Sequence, residues 1–180
     1  MKATHSSFLL WKMDSVDFST NTISLPFRTP NCWECPPILF ARTDERAVVP
    51  ARAHETDIGY DLTAIDIFKL LNSHTTLYET GIVVKPPAGC YVEILPRSSL
   101  SKTGHVLANS VGVIDPDYTG SLKIAVTKVV PDAPDLQLPF TRFQIVLRPI
   151  YLMKVKEVSL DQILPTERGS GGFGSTDAAT

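Results

Sequence analysis

From Ile38 onward the chain is written in short apolar runs separated by turn formers. The runs are Ile38-Leu39-Phe40, Gly81-Ile82-Val83-Val84, Cys90 to Leu95, Leu122 to Val130, Arg142 to Arg148 and Tyr151 to Val155. Between them stand Pro86-Pro87-Ala88-Gly89, Asp117-Tyr118-Thr119-Gly120 and Pro131-Asp132-Ala133-Pro134. Pro fixes φ and Gly opens left-handed backbone, so these clusters stop one strand and start the next. Runs of this length and spacing predict an all-β domain, a barrel or sandwich. Only Asp66 to Leu71 has the apolar spacing of a helix, of about two turns. Residues 1–37 read differently: Met1 to Pro30 is polar, irregular and rich in Ser, Thr and Asn, and Pro36-Pro37 closes it. No internal repeat is visible. Three segments are therefore expected: an N-terminal extension, irregular or partly disordered (1–37), a β-barrel core (38–165) and a glycine-rich C-terminal arm (166–180).

At 180 residues and 43% hydrophobic, the chain can bury one sizeable core. The formal net charge of −2 argues against a general affinity for nucleic acid or an anionic membrane. Cys32, Cys35 and Cys90 are an odd count without a disulfide framework. The single Cys32-x-x-Cys35 has no second pair or nearby histidines and makes a weak zinc candidate. His5, His54, His74 and His105 are scattered without metal-ligand spacing. The apolar run Phe8-Leu9-Leu10-Trp11 stops at Lys12 and Asp14, too short for a secretory signal, and no stretch approaches membrane-spanning length. The expectation is an intracellular protein, cytoplasmic or nuclear, with the source left open, a virus included.

The chemistry-bearing residues cluster at strand ends and in the tail. Arg168-Gly169-Ser170-Gly171-Gly172-Phe173-Gly174-Ser175-Thr176 puts four glycines in Gly169 to Ser175. Such a segment needs ordering energy from outside itself. Arg168 offers a planar fork for phosphate oxygens, Ser175 and Thr176 add donors, and Phe173 can stack on a flat ring. These features read as a nucleotide lid rather than a linker, and the spacing is not that of a P-loop. Upstream lie Asp57-Ile58-Gly59-Tyr60-Asp61-Leu62, then Pro96-Arg97-Ser98-Ser99-Leu100 after a predicted strand. Last comes Gly112-Val113-Ile114-Asp115-Pro116-Asp117-Tyr118-Thr119-Gly120. Taken singly, each suits an ordinary solvated loop as well as a site.

Taken in order, these clusters resemble the five-motif signature of the trimeric dUTP pyrophosphatases (dUTPases). Asp57–Leu62 is similar to the first motif, Pro96–Leu100 to the second, Gly112–Gly120 to the third and Arg168–Thr176 to the fifth. The resemblance implies a jelly-roll-like β-barrel and a homotrimer whose sites are shared between subunits. It also implies Mg²⁺-assisted hydrolysis of dUTP to dUMP and pyrophosphate by water attack at the α-phosphorus. By the same resemblance Asp115 is the base that activates water, and Asp61 holds the metal indirectly, through water. Arg97, Ser98 and Ser99 then bind phosphate, and the region Asn109 to Lys123, with Val113 and Ile114, meets uracil. Tyr118 lies under the deoxyribose, while Arg168, Phe173, Gly174, Ser175 and Thr176 close the lid. Three departures stand out. The fourth motif, normally Gly-Asp-Arg-Ile-Ala-Gln-Leu, falls at Phe140–Val146, where only Arg142 keeps its place. Gln144 then comes one residue early, and strand alternation expects it on the opposite face. Ser99 replaces a usual Gly, and Asp177 the tail's last Gly. Two alternatives remain open on sequence: a catalytically impaired relative kept for nucleotide binding or regulation, and a dCTP deaminase.

Overall fold

The computed structural model describes Pro37–Gly172, with the exception of Leu152. Two strands alternate buried and half-buried positions. In β6 (Cys90–Pro96), Val92 and Ile94 are buried between the half-buried Tyr91, Glu93 and Leu95. In β9 (Lys123–Lys128), Ile124 and Val126 point inward. A period of two leaves one face for a core and one for solvent or a partner.

Among the described residues, ten strands form three sheets: β1 (Leu39–Arg42), β2 (Tyr60–Ala64), β3 (Asp66–Leu70), β4 (Thr75–Glu79), β5 (Ile82–Lys85), β6, β7 (His105–Leu107), β8 (Gly112–Ile114), β9 and β10 (Phe140–Pro149). Their orders are β1-β5, β2-β10-β6-β8 and β3-β4-β9-β7, and every pairing between them is antiparallel. None of these sheets closes on itself among the described residues. One core draws on all three: Ile82 and Val84 from the first, Leu62, Val92, Ile94, Phe143 and Ile145 from the second, Ile124 and Val126 from the third. Each such side chain contributes about 1.5–3 kcal/mol by leaving water, and this core holds the strand ends that carry the polar clusters.

The expected runs at Leu39, Ile82, Cys90, Lys123 and Arg142 are all strands, with bounds within a few residues. Two expectations are overturned. Asp66 to Leu71 is not a helix: Asp66–Leu70 is an edge strand paired with β4, with a register shift between Ile67 and Lys69. Its apolar side chains at 67, 68, 70 and 71 are all exposed, so the helical spacing had no core to face. Tyr151 and Met153–Val155 belong to no strand, and Tyr151, Met153 and Val155 are exposed. The sequence pattern there is apolar, but among the described residues no strand pairs with it. The extension 1–37, except Pro37, lies outside the described residues, as do Phe173 to Thr180.

Candidate functional site

The second cluster begins where β6 runs out at Pro96. Arg97 is still extended, and its N–H donates to the Arg142 carbonyl at 2.9 Å. The chain then turns into a 3-10 segment, Ser98–Lys102, anchored by the buried Leu100, whose N–H donates to Arg97 O. The N–H groups of Ser98 and Ser99 open this turn and have no earlier carbonyl within it to bond. The hydroxyl of Ser101 donates to Ser98 O at 2.7 Å and fixes the corner.

Arg97 reaches across the sheet to the first cluster. Its Nη1 donates to Asp61 Oδ2 at 2.6 Å, with both side chains about one third exposed. Asp61 is placed by β2, where it pairs with Gln144 of β10 and bridges to Ala51. A guanidinium, a carboxylate and two free-pointing amides at one strand end suit an anion, with the carboxylate left to orient the cation or a water. Beside this corner opens a groove of about 630 Å³, lined by Arg97, Ser98, Ser101, His105, Ala108 and Ser110 among others.

Gln144 points away from the buried Ile145, as strand alternation expects. As cross-strand partner of Asp61 it shares that residue's side of the sheet. Its Nε2 donates to Pro96 O at 3.2 Å, and its Oε1 lies over Gly59, where an added Cβ would come within 2.0 Å. Gln144 thus spans the first two clusters, while Ile145 is core. The register shift between Phe140 and Phe143 lies before this pair and leaves its alternation intact, so what the sequence reading missed is the brace to Pro96 O. The signal that could have found it was Gly59, a glycine within a strand-flanking motif that marks a close approach.

The third cluster lies on β8 and the turn after it, beside the other end of β6. In the β6–β8 pairing, Ile114 faces Val92 and Gly112 faces Ile94. Asp115 therefore lies level with Tyr91, while Arg97 lies beyond Pro96, a separation of about 20 Å along the strand. Asp115 is exposed, and its carbonyl accepts the Tyr118 N–H in a tight turn. Val113 projects outward and Ile114 inward, and Asn109 is exposed ahead of Ser110, which has φ of 59°. Tyr118 folds over Gly120, its hydroxyl donating to Ser121 O at 3.0 Å.

Lys123 is engaged within the fold. Its Nζ lies 3.4 Å from Glu79 Oε2 and 3.1 Å from Ser121 Oγ, and 4.5 Å from the centroid of the Phe68 ring. Its side chain is thereby committed to the protein, and its backbone is what faces the turn. Arg168 is exposed and donates from Nε to Gly171 O at 3.0 Å. Phe173, Gly174, Ser175 and Thr176 lie outside the described residues. One chain therefore brings together Asp61, Arg97, Ser98 and Ser99, and holds Asp115 and Tyr118 apart from them.

No group of three or more His, Cys, Asp or Glu side chains is placed to hold a metal among the described residues. A single carboxylate with one oxygen taken by Arg97 does not build a protein cage. It does suit a hard cation that keeps its waters and takes its inner ligands from phosphate oxygens. No helix of the described residues is long and apolar enough to cross a membrane.

The dUTPase family model matches residues 45–177. The deoxyuridine 5'-triphosphate nucleotidohydrolase of Clostridium novyi is 34% identical over 140 residues, 77% of this chain and 97% of the relative. That of Rhodococcus erythropolis is 37% identical over 142 residues, 77% of this chain and 85% of its own. The fold is similar to a Staphylococcus bacteriophage 80alpha dUTPase mutant with dUpNHpp, at a TM-score of 0.64 and 23% identity, covering 78% of this chain and 98% of that one. A phage phi11 dUTPase mutant with a structural Mg(II) ion matches at a TM-score of 0.58 and 23% identity, covering 68% and 97%. With the family model spanning every one of the four polar clusters, this chain belongs to the dUTPase family.

Proposed function

We propose that the protein hydrolyses dUTP to dUMP and pyrophosphate by water attack at the α-phosphorus. The observation that carries this reading is the Asp61–Arg97 ion pair, which ties the first motif to the second at the corner opened by the Ser98 and Ser99 amides. A triphosphate is densely anionic, and such a corner presents donors already in place. The amides of Ser98 and Ser99 with the Ser98 hydroxyl take the α- and β-phosphate oxygens. Arg97 binds phosphate and holds the Asp61 carboxylate in one orientation. Asp61 would help to hold Mg²⁺ through water, and the bound ion would supply charge neutralisation. Gln144 fixes the corner from Pro96 O.

Asp115 accepts a proton from the attacking water. A carboxylate is a weak base near neutrality, so much of the acceleration comes from positioning and charge stabilisation. The backbone from Asn109 through Val113 and Ile114 to Lys123 hydrogen-bonds the uracil edge. Cytosine reverses that donor and acceptor pattern and would leave buried groups unpaired. Tyr118 lies under the deoxyribose and leaves no room for a 2′-hydroxyl. Arg168 takes the γ-phosphate, Phe173 stacks on the base, and Gly174, Ser175 and Thr176 complete an arm, 166–180, that closes over the bound nucleotide.

The distance between Arg97 and Asp115 within one chain supports a homotrimer in which they serve one site from neighbouring copies. Its closure would supply partners for the exposed apolar side chains of Tyr151, Met153, Val155 and Leu160 and complete a jelly-roll-like barrel from residues 38–165, with 1–37 as an added extension. Hydrolysis of dUTP limits uracil in DNA and supplies dUMP, work that belongs inside a cell where deoxynucleotides are made.

The test is pyrophosphate release from dUTP, dCTP, dTTP and UTP, with and without Mg²⁺. Release from dUTP alone, dependent on Mg²⁺, is the expected result. Ammonia release from dCTP would make the protein a deaminase. Binding of dUTP without turnover would make it a catalytically impaired nucleotide-binding relative, a reading favoured by the altered fourth motif and weakened by where Gln144 stands.

A further inference from the structure

The turn that carries Tyr118 is held from one side by a residue outside all five motifs. Glu79 ends β4, where its Cα partners are Asp66 on β3 and Lys123 on β9. Its carboxylate is four-fifths buried and is itself fixed: Oε1 accepts the N–H groups of Thr80 at 3.0 Å and Gly81 at 2.9 Å. Gly81 sits at φ of 65°, a conformation that lets the chain turn tightly enough for both amides to reach one oxygen. Oε2 then accepts the Ser121 hydroxyl at 3.0 Å and faces Lys123 Nζ at 3.4 Å.

Ser121 is where this anchor meets the sugar side of the site. Its hydroxyl is bound to Glu79, and its carbonyl accepts the Tyr118 hydroxyl at 3.0 Å and Lys123 Nζ at 3.4 Å. Lys123 Nζ also bonds Ser121 Oγ at 3.1 Å. The backbone beside it is pinned too, since Leu122 O accepts the Thr80 hydroxyl at 2.8 Å. A chain of bonds therefore runs from the β4–β5 turn through Ser121 to the ring of Tyr118. The ring stays over Gly120, where an added Cβ would come within 2.4 Å of the phenol oxygen.

We propose that Glu79 is a positioning residue for sugar selectivity: through Ser121 it fixes the height of the Tyr118 ring and so the room left for a 2′-hydroxyl. The inference rests on the proposed role of Tyr118 beneath the deoxyribose. Glu79 touches no substrate. A packed carboxylate holds the ring only while it can accept both the Ser121 and Lys123 donors, and an amide of the same shape offers a donor where an acceptor is required.

The experiment is a double-mutant cycle on Glu79→Gln and Tyr118→Ala, read as the ratio of kcat/KM for dUTP to that for UTP. In the wild-type background Glu79→Gln should lower the ratio about tenfold, the scale of one lost charge-assisted hydrogen bond. In the Tyr118→Ala background it should have no further effect. A fall of the same size in both backgrounds would overturn the inference, because Glu79 would then act by a route other than Tyr118. An unchanged ratio for Glu79→Gln, while Tyr118→Ala lowers it, would also overturn it and leave the proposed role of Tyr118 intact. If neither substitution moves the ratio, both readings fall. Should Glu79→Gln not fold, Ser121→Ala carries the same test, since it removes only the hydroxyl that joins Glu79 to the turn.

Discussion

Arg97 and Asp61 are 36 positions apart in sequence and meet at 2.6 Å, guanidinium to carboxylate, at the end of the longest-buried sheet. Each side chain is about one third exposed, so solvent screens the pair and its share of stability is about 1 kcal/mol or less. Its worth lies in orientation. Asp61→Asn should therefore lower the melting temperature by only a few degrees while reducing kcat/KM for dUTP by about a hundredfold or more. Arg97→Lys keeps the charge but loses the planar fork and should behave alike. Thermal melting and steady-state kinetics on the two variants check this. Equal losses of stability and activity would reduce the pair to a structural contact.

Asp115 has an exposed carboxylate at the far end of β6 from Arg97. Because it supports no core packing, Asp115→Asn should fold normally and bind Mg·dUTP with little change. Turnover should fall by about a thousandfold or more, as expected when a positioned base is lost. Single-turnover pyrophosphate release against equilibrium binding separates the two effects. Near-normal turnover would remove Asp115 from the base role.

Tyr118 supplies an aromatic face beside Gly120. Tyr118→Ala should raise the use of UTP relative to dUTP, chiefly by raising kcat/KM for the ribonucleotide. Competition between the two nucleotides, followed by product analysis, reads the ratio directly. An unchanged preference would mean that another group excludes the 2′-hydroxyl.

Much of this architecture was legible from residue order. Alternation in Cys90–Leu95 and Lys123–Lys128 is enough to place strands, because a period of two has one physical interpretation when a core is available. The motif corner at Arg97 follows from where the first of those strands ends, and Asp115 from the end of β8. Three features resisted. Asp66–Leu71 has helical spacing but lies at a sheet edge, and the pairing with β4 that decides its form is non-local. Gln144 faces away from the buried Ile145 as alternation expects, but its bond to Pro96 O depends on a close pass over Gly59 that alternation does not encode. The distance from Arg97 to Asp115 is a property of strand register, which composition does not encode.

Gly59 is required by the approach of Gln144, whose Oε1 would lie 2.0 Å from an added Cβ. Gly59→Ala should push the amide aside and break its bond to Pro96 O. The side chain is flexible at its end, so the cost in stability is modest, about 1 kcal/mol. The larger effect should be a rise in KM for dUTP, because the Pro96–Ser98 corner loses its brace. Crystallography of the variant, with kinetics alongside, checks both. A displaced Gln144 with unaltered KM would show that the brace does not matter to binding.

Glu79 should give the fold an acid limb. Burial raises its carboxyl, but the Gly81 N–H, the Ser121 hydroxyl and Lys123 favour the charged form more, and the net shift is downward. A depressed carboxylate contributes stability that is complete above its unfolded value, about 4.3, and is lost as pH falls through the lowered folded value. A neighbour on the same row, Asp66, held down by Arg46, loses stability in the same direction. Wild-type stability should thus fall as pH drops below about 4, and Glu79→Gln should flatten only part of that fall, leaving the share due to Asp66 and the other lowered carboxyls. Urea melts between pH 3 and 7 on the two proteins measure the difference. Curves that stay parallel across that window would mean that Glu79 keeps the same proton affinity folded and unfolded, and that its four donors do not favour the charged form.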